Sequence, residues 1–235
     1  MIGDALAGCK TLDEATIAFR DLTRPLGVRD VVYGYMLEAK SYIKHDVCFS
    51  VTICDKLMAE YEFGGGLSTD PVATSLSGDG SHYEIDFFEC LEVDRGPWLA
   101  QRRYIRAVLS AGYTRALTIP FHDIEKVGHG AMTLFQDRDG APQMDPTILK
   151  PLVYDFHTHV KKNGQLRHLF NLSDKETATL RSTAAGKTAS DIASSENVNI
   201  RTVELRLAKS REKLRARHTS EAIFKATNFG ILFDR

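Results

Sequence analysis

The spacing of apolar residues divides the chain into a mixed α/β region and a helical region. In the first, short runs rich in Val, Ile, Tyr and Phe predict strands, and apolar residues three or four positions apart predict helices. The predicted strands are 30–37, 42–53, 115–121 and 130–136, and the predicted helices lie over about 11–23, 55–63, 97–112 and 145–162. We expect an α+β fold, with an α/β/α sandwich on a five-stranded antiparallel sheet.

Glycine and proline residues mark where these elements end. The glycines at 64–66 break the short helix that Asp55 caps, because three glycines maximise backbone freedom. Pro151 lies within the apolar pattern of the last helix and predicts a kink or a restart there. Residues 163–165 terminate this helix. The predicted organisation is a first domain over 1–163, a linker over 164–171 and a second domain over 172–235.

The second domain contains the local signals of four short helices. Ser173 and Glu176 have the spacing of a reciprocal N-terminal cap. Thr188 and Thr219 are expected to cap the second and fourth helices, and the third helix is predicted over 200–214. Two short helices, a tight turn and a basic third helix are typical of a helix-turn-helix within a four-helix domain.

Charge differs between the two regions more than the overall net charge of −1 indicates. Residues 1–165 carry a net charge of −6, whereas residues 166–235 carry +5. Seven basic and two acidic residues fall within 201–217. An acidic body with a basic helix is typical of a sensor or scaffold joined to an element that binds a polyanion. The alternative is an exposed basic helix without a partner.

The exposed side of this third helix carries the candidate DNA contacts. Its N-terminal residues can reach base edges in the major groove, while Lys and Arg at its margins neutralise phosphates. Hydroxyl groups at helix starts commonly hold phosphate as well. The predicted DNA-binding residues are Thr188, Arg201, Thr202, Glu204, Leu205, Arg206, Lys209 and Lys213. A helical hairpin that docks on another protein is the alternative interpretation.

Composition narrows the class of protein. Hydrophobic residues make up 43% of the chain, and its net charge is low. A disordered protein usually has fewer hydrophobic residues and a higher net charge, so we do not expect disorder. No apolar run approaches the roughly 18 residues that a membrane span needs, and the first ten residues lack the pattern of a signal peptide. The four cysteines have no C-x-x-C spacing, so we expect reduced thiols. We predict a cytoplasmic protein with no membrane contact, metal or cofactor.

The second domain carries a set of characteristic residues that are spread over about 60 positions. Among them are Leu172, Ser173, Glu176, Leu180, Gly186, Lys187, Thr188, Asp191, Val198, Arg201, Thr202, Glu204, Lys213, Leu214 and Gly230. This pattern resembles the DNA-binding domain of LuxR-type regulators. The resemblance implies a homodimer that binds an inverted-repeat operator in double-stranded DNA, with RNA polymerase as a further partner.

Tyr61 and Asp70 are the candidate ligand contacts of the first domain. The spacing Tyr61-x8-Asp70-Pro71-Val72, together with Gly112 and Thr118-Ile119-Pro120, resembles the acyl-homoserine-lactone-binding domain of quorum-sensing LuxR proteins. The resemblance implies that Asp70 accepts from the amide N–H of the signal and that Tyr61 donates to its acyl carbonyl. It also implies a hydroxyl near the acyl chain at Thr133, and its second pocket aromatic falls at Tyr83.

Leu57 departs from the family pattern. A tryptophan four residues before the tyrosine donates to the lactone carbonyl in the family, and Leu57 has no donor. The only tryptophan of the chain, Trp98, lies elsewhere, at a predicted helix start. A lactone carbonyl that loses its partner costs about 1–3 kcal/mol. Either another residue supplies the donor, or the signal is not a standard acyl lactone, or the protein works without a ligand.

The leading hypothesis is a quorum-sensing-type transcriptional regulator that binds a small diffusible signal and, as a dimer, promoter DNA. The alternative is a LuxR-like protein with a degenerate pocket that acts without ligand, for example through inactive heterodimers with another regulator. An enzyme is not predicted, because no nucleophile pairs visibly with His122 and Asp123. A phosphorylated receiver is disfavoured, because the first region lacks five βα repeats.

The long helix predicted over 145–162 is the candidate dimerisation element. Its apolar face is wider than contact with a single sheet requires. The resemblance also implies a two-fold interface here. We therefore expect Leu152 and Phe156 to contribute to contact between protomers.

Overall fold

The computed structural model describes residues 2–37, 47–70, 72, 81–92, 97–122, 128–137 and 142–232. The chain divides into two units, one of residues 1–9 and 13–157 and the other of residues 10–12 and 158–235. None of the helices in the described ranges is long and apolar enough to cross a membrane.

A five-stranded sheet organises the described part of the first unit. Its strands lie in the order β2-β1-β5-β4-β3, and every neighbouring pair is antiparallel. The elements in chain order are α1 Ile2–Leu6, α2 Leu12–Thr23, β1 Asp30–Leu37, β2 Val47–Val51, α3 Asp55–Phe63, β3 Tyr83–Asp86, α4 Phe87–Glu92, α5 Arg102–Ser110, β4 Tyr113–His122, β5 Gly128–Asp137 and α6 Pro146–Lys162. The predicted antiparallel α+β fold is confirmed.

One face of the sheet packs against α2 and the first part of α6. Tyr33 of β1 is fully buried on this face, and its ring centroid lies 5.4 Å from that of Phe156 on α6. Phe156 in turn packs edge-on against Phe19 of α2, with 5.1 Å between the ring centroids. These aromatic contacts join two helices to the sheet in one core.

The opposite face of the sheet packs against α3, α4 and α5. Side chains of a strand alternate between the two faces, so Val32 points away from Tyr33. A buried cluster on this face joins Leu57 of α3, Phe87 of α4 and Ile105 of α5. The sheet therefore lies between two helical layers, as the predicted sandwich requires.

Several details differ from the sequence-based expectations. Phe156 is completely buried, so it cannot belong to a surface between protomers as predicted. The helix α6 continues through Pro151, so the restart that was one of the two predicted outcomes does not occur. The strand β3 and the helix α4 were not predicted, since four-residue and six-residue elements carry little periodicity. The start of the predicted strand 42–53 lies outside the described residues.

The second unit contains a bundle of four short helices. They are α7 Asp174–Ala184, α8 Ala189–Glu196, α9 Ile200–Lys213 and α10 Thr219–Asn228, and they follow a 3₁₀ turn over Gln165–Phe170. The predicted capping box at Ser173 is present, and Thr188, predicted as a cap, forms a capping box with Asp191 as well. Thr219 was predicted to cap α10 but is the first residue of that helix; His218 stands at the N-cap position and makes no capping hydrogen bond through its side chain.

The third of these helices, α9, is held by all three of the others. Leu180 of α7, Val203 of α9 and Leu214 at the end of α9 are fully buried. Lys225 of α10 is also buried, and its Nζ donates to the carbonyl oxygens of Leu214 and Arg215 at 3.3 and 3.1 Å. A buried ammonium thus satisfies carbonyl groups left open where α9 ends.

Candidate functional site

A cavity of about 100 Å³ lies in the first unit, on the sheet face that carries α3 and α5. Most of its described lining is apolar or glycine, from β1, β5, α3 and the segments near them. The residues that bring polar atoms are Tyr61, Asp70, Trp98, Gln101, Tyr104, Thr118 and Thr133. An apolar cavity with a few convergent polar groups is the usual form of a small-molecule site.

Tyr61 and Asp70 meet at this cavity because the chain reverses between them. Gly65 and Gly66 have φ values of 107° and 55°, in the left-handed region that glycine adopts at little cost. The turn that follows α3 therefore returns Asp70 to the side of Tyr61. The Tyr61 hydroxyl donates to Asp70 Oδ2 at 2.8 Å, and the backbone N–H of Val72 donates to Oδ1 at 2.8 Å. Pro71 lies outside the described residues.

The environment of Tyr61 keeps its hydroxyl protonated. Burial raises the pKa of Tyr61 well above its usual value, and the negative charge of Asp70 and the hydrogen bond to it raise the pKa further. A phenol with this pKa stays neutral at physiological pH, so Tyr61 acts as a hydrogen-bond donor.

Gln101 holds the turn that carries Asp70. Its Nε2 donates to Thr69 Oγ1 at 2.8 Å, and the Thr69 hydroxyl donates to the carbonyl oxygen of Gly64 at 2.8 Å. Gln101 is 1% exposed. Sequence reasoning missed this residue, although a polar side chain three residues after Trp98 and four before Ile105 interrupts an otherwise apolar helical face.

Tyr104 was also missed, and it forms the wall of the cavity next to Tyr61. The two rings pack edge to face, with 5.3 Å between their centroids. Tyr104 is 9% exposed. Burial is the main cause that raises its pKa, and the charge of Asp70 adds to the effect. The hydroxyl of Tyr104 is therefore a neutral donor close to a carboxylate.

Thr133 lies in the cavity wall, as the resemblance implied. It pairs with Thr118 across β4 and β5, and the two hydroxyl oxygens are 3.0 Å apart. Since one hydroxyl of the pair donates to the other, a donor remains for a further partner.

Two residues predicted to contact the ligand lie away from the cavity. Leu57 is 2% exposed within the core cluster, and Met58 lines the cavity instead. Residue 57 lies one helical turn before Tyr61, so its side chain enters the core one turn away along the axis of α3. Tyr83 packs against the same core from the start of β3, and Ile85, two residues later on the same face, lines the cavity.

The exposed side of α9 carries most of the predicted DNA contacts. Arg201, Glu204, Leu205 and Lys209 are exposed, and Thr202 is half-buried. The side chain of Asn199 accepts from the backbone N–H of Arg201 at 2.9 Å and so fixes the start of α9. These residues can all face a partner without unfolding the helix.

Two predicted DNA-binding cations have partners inside the unit. Arg206 forms an ion pair with Glu196 of α8. Lys213 Nζ lies 2.7 Å from Glu176 Oε2 and donates to the carbonyl oxygen of Asn171 at 2.7 Å. Burial acts to raise the pKa of Glu176, but hydrogen bonds from Lys213 and Ser173 outweigh it and hold the pKa below its usual value. Lys213 and Arg206 therefore stabilise the helical bundle.

Thr188 is exposed at the start of α8, where DNA contact was predicted. Its hydroxyl donates to Asp191 Oδ2 at 2.7 Å and accepts from the backbone N–H of Asp191 at 3.2 Å. The backbone N–H of Thr188 also donates to Asp191 Oδ2, at 2.9 Å, and the two bonds that the carboxylate accepts lower the pKa of Asp191. The hydroxyl of Thr188 thus serves first as a helix cap.

Several solved structures share the fold of this chain. The crystal structure of Escherichia coli SdiA is 18% identical, with a TM-score of 0.54, and the match covers 97% of this chain and 95% of that one. SdiA in complex with octanoyl-rac-glycerol is 16% identical, with a TM-score of 0.54 and coverage of 100% and 95%. CepR2 from Burkholderia cenocepacia is 16% identical, with a TM-score of 0.50 and coverage of 68% and 88%.

The second unit also matches a family of known proteins in sequence. Among proteins with curated functions, no sequence match to the chain was found. Residues 171–226, however, match the luxR family of bacterial regulatory proteins. The match spans α7 to α9 and most of α10, which are the helices described above. Residues 171–226 of this chain therefore form a helix-turn-helix domain of the luxR family of bacterial regulatory proteins.

Proposed function

We propose that this chain is a transcriptional regulator whose first unit binds a small acylated signal and whose second unit binds promoter DNA. The observation that carries the proposal is the Tyr61–Asp70 pair, held in an apolar cavity in the same chain as a luxR-family helix-turn-helix domain. We retain the division into domains 1–163 and 172–235 with a linker over 164–171 as part of this proposal.

The Tyr61–Asp70 pair is suited to an amide by an exchange of partners. An amide N–H can take the place of the Tyr61 hydroxyl on Asp70 Oδ2. The released hydroxyl can then donate to the acyl carbonyl of the same amide. The exchange adds a hydrogen bond without leaving a buried polar group unpaired, which favours an amide over an ester.

Two of the solved structures support a ligand with an acyl chain. SdiA has been solved with octanoyl-rac-glycerol, and CepR2 is described as dependent on an N-acylhomoserine lactone. Both ligands join an acyl chain to a small polar head. The apolar lining of this cavity suits the chain, and its polar residues suit the head. We propose an acyl-homoserine lactone or a related acyl amide as the signal.

Recognition of DNA is assigned to the exposed side of α9. Arg201 near its start is placed to reach base edges, and Lys209 two turns later is placed to contact phosphate. Thr202, Glu204 and Leu205 complete this surface, with Thr188 at its edge. Arg206 and Lys213 are engaged within the unit, and we assign them to its stability. An inverted-repeat operator follows if two copies bind with two-fold symmetry, and RNA polymerase is the expected further partner.

The dimer interface is assigned to the exposed side of α6. Ile148 is 49% exposed, and Leu152, one turn later on the same side, is half-buried. Exposed apolar residues in a stripe favour contact with another protein. The double change of Ile148 and Leu152 to Asp should yield folded monomers in sedimentation velocity. Dimers that persist after this change would remove α6 from the interface.

The signal-binding role is tested by comparing an amide with its ester. N-octanoyl-homoserine lactone should bind the purified full-length protein at least about tenfold tighter than the analogue with oxygen in place of the amide nitrogen, since one buried hydrogen bond differs. Isothermal titration calorimetry measures both affinities. Equal affinities would contradict the exchange of partners. Failure of any acyl amide to bind, with operator binding intact, would favour a regulator that works without ligand through heterodimers. This second candidate is kept because Leu57 stands where the family has a tryptophan that donates to the lactone carbonyl.

A further inference from the structure

Tyr104 presents a hydroxyl to the cavity that nothing in the described chain accepts. The residue lines the cavity and is 9% exposed. Its ring packs against Tyr61, and its hydroxyl makes no hydrogen bond within the described part of the chain. The other tyrosines of the unit include a contrasting case, because the Tyr113 hydroxyl donates to Asp30 Oδ2 at 2.7 Å.

The hydroxyl of Tyr104 faces the cavity without being among the buried unpaired polar atoms of the described chain. Solvent that enters the cavity can therefore pair with it. A ligand that displaces this solvent must supply an acceptor, because otherwise the hydroxyl loses its hydrogen bonds. A phenylalanine would line the same wall without this requirement, so the hydroxyl favours a ligand that carries an acceptor at this point.

We propose that the Tyr104 hydroxyl donates to a carbonyl oxygen in the head of the ligand, replacing the indole donor that Leu57 cannot supply. The inference rests on the proposed signal-binding function. Asp70 accepts a donor and Tyr104 supplies one, and both adjoin Tyr61. The ligand class is then an acyl amide with a second carbonyl in its head, as in an N-acyl amino lactone, rather than a simple alkyl amide.

The proposal predicts which pairs of protein and ligand lose affinity. The probes are N-octanoyl-homoserine lactone and N-octanoyl-cyclopentylamine, which keeps the amide and the ring size but lacks the ring carbonyl. The wild-type protein should prefer the lactone by about tenfold, and Tyr104→Phe should reduce this preference to less than about twofold. Trp98 is the only tryptophan of the chain and lines the cavity, so its fluorescence reports occupancy.

Tyr113→Phe is the matched control. It removes a hydroxyl that is paired with Asp30, on a residue outside the described cavity lining. The Tyr113→Phe protein should keep the wild-type ligand preference and have a lower Tm without ligand. Tyr104→Phe should have an unchanged or higher Tm without ligand, because the hydroxyl that it removes makes no hydrogen bond within the described part of the chain.

The outcomes separate this inference from the function on which it rests. Wild-type protein that binds both probes, together with a Tyr104→Phe protein that keeps the lactone preference, would overturn the role of Tyr104 and leave the signal-binding function standing. A Tm of Tyr104→Phe that falls as far as that of Tyr113→Phe would also overturn it, because it would indicate a partner within the protein. Wild-type protein that binds neither probe would overturn both proposals.

Discussion

The two units of this chain treat their buried polar groups differently. In the second unit, the buried charged side chains of Glu176 and Lys225 are paired within the chain, Glu176 with Lys213 and Lys225 with the carbonyl groups at the end of α9. At the cavity of the first unit, Asp70 is paired with a hydroxyl that a ligand can displace. The proposed DNA-binding surface of the second unit is therefore formed without DNA, whereas the proposed cavity of the first unit would gain its full set of hydrogen bonds only with a ligand.

A substitution of Lys225 should give the largest effect among the tests of this difference. Lys225→Met should lower the free energy of unfolding by about 3 kcal/mol, because it leaves Glu221 and the carbonyl groups of Leu214 and Arg215 without a buried cation. Urea denaturation followed by circular dichroism measures the loss, and an acyl amide ligand should not restore it to the second unit. Wild-type stability in the variant would show that the buried ammonium is not required.

Asp70 should behave in the opposite way, with a loss in binding rather than in folding. Asp70→Asn keeps one oxygen that can accept from the backbone N–H of Val72, and its amide NH2 can donate to the Tyr61 hydroxyl, so the free energy of unfolding should change by less than about 1 kcal/mol. Binding of N-octanoyl-homoserine lactone should weaken by about 2 kcal/mol, because a charge-assisted hydrogen bond becomes a neutral one. Calorimetric titration gives the affinity. A large loss of stability with unchanged affinity would reverse the assignment of Asp70.

Arg201 and Lys209 test whether the surface of α9 reads bases or phosphates. Arg201→Ala should reduce discrimination between operator and unrelated DNA by about 1–2 kcal/mol, whereas Lys209→Ala should weaken both and reduce the salt slope by about 1. Fluorescence anisotropy over a range of salt concentrations distinguishes the two. Equal effects of both substitutions on operator and unrelated DNA would place Arg201 with the phosphate contacts.

The Glu176–Lys213 pair gives the smallest effect and a dependence on pH. The folded-state pKa of Glu176 lies below its usual value of 4.5, so the ionised form favours folding. This stabilisation is fully present above pH 4.5 and is lost as the pH falls through the lower folded pKa. The free energy of unfolding of the wild type should therefore fall over this range, and that of Glu176→Gln should fall less. If Glu176→Gln loses as much stability in acid as the wild type, the acid sensitivity comes from other carboxylates.

Local signals account for the parts of the structure that the sequence predicted well. Ser173 and Glu176 lie three residues apart, and the cap that they form requires only helix geometry. The same holds for Thr188 and Asp191. Strand β1 and helix α6 were predicted because their periodic apolar residues extend over 8 and 17 residues. The family resemblance implied that Tyr61 and Asp70, nine residues apart, both contact a ligand, whereas the hydrogen bond between them was not predicted.

Tertiary contacts decided what each side chain does. Lys213 was predicted to contact phosphate, but its ammonium group forms an ion pair with Glu176, 37 residues earlier. Phe156 was predicted at a dimer surface, but Phe19 and Tyr33 enclose it. The sequence by itself determined most of the longer elements, because helix caps and apolar periodicity act between near neighbours. Only the tertiary structure placed Gln101 and Tyr104 at the cavity and moved Leu57 and Tyr83 away from it, because burial depends on segments that are distant in the chain.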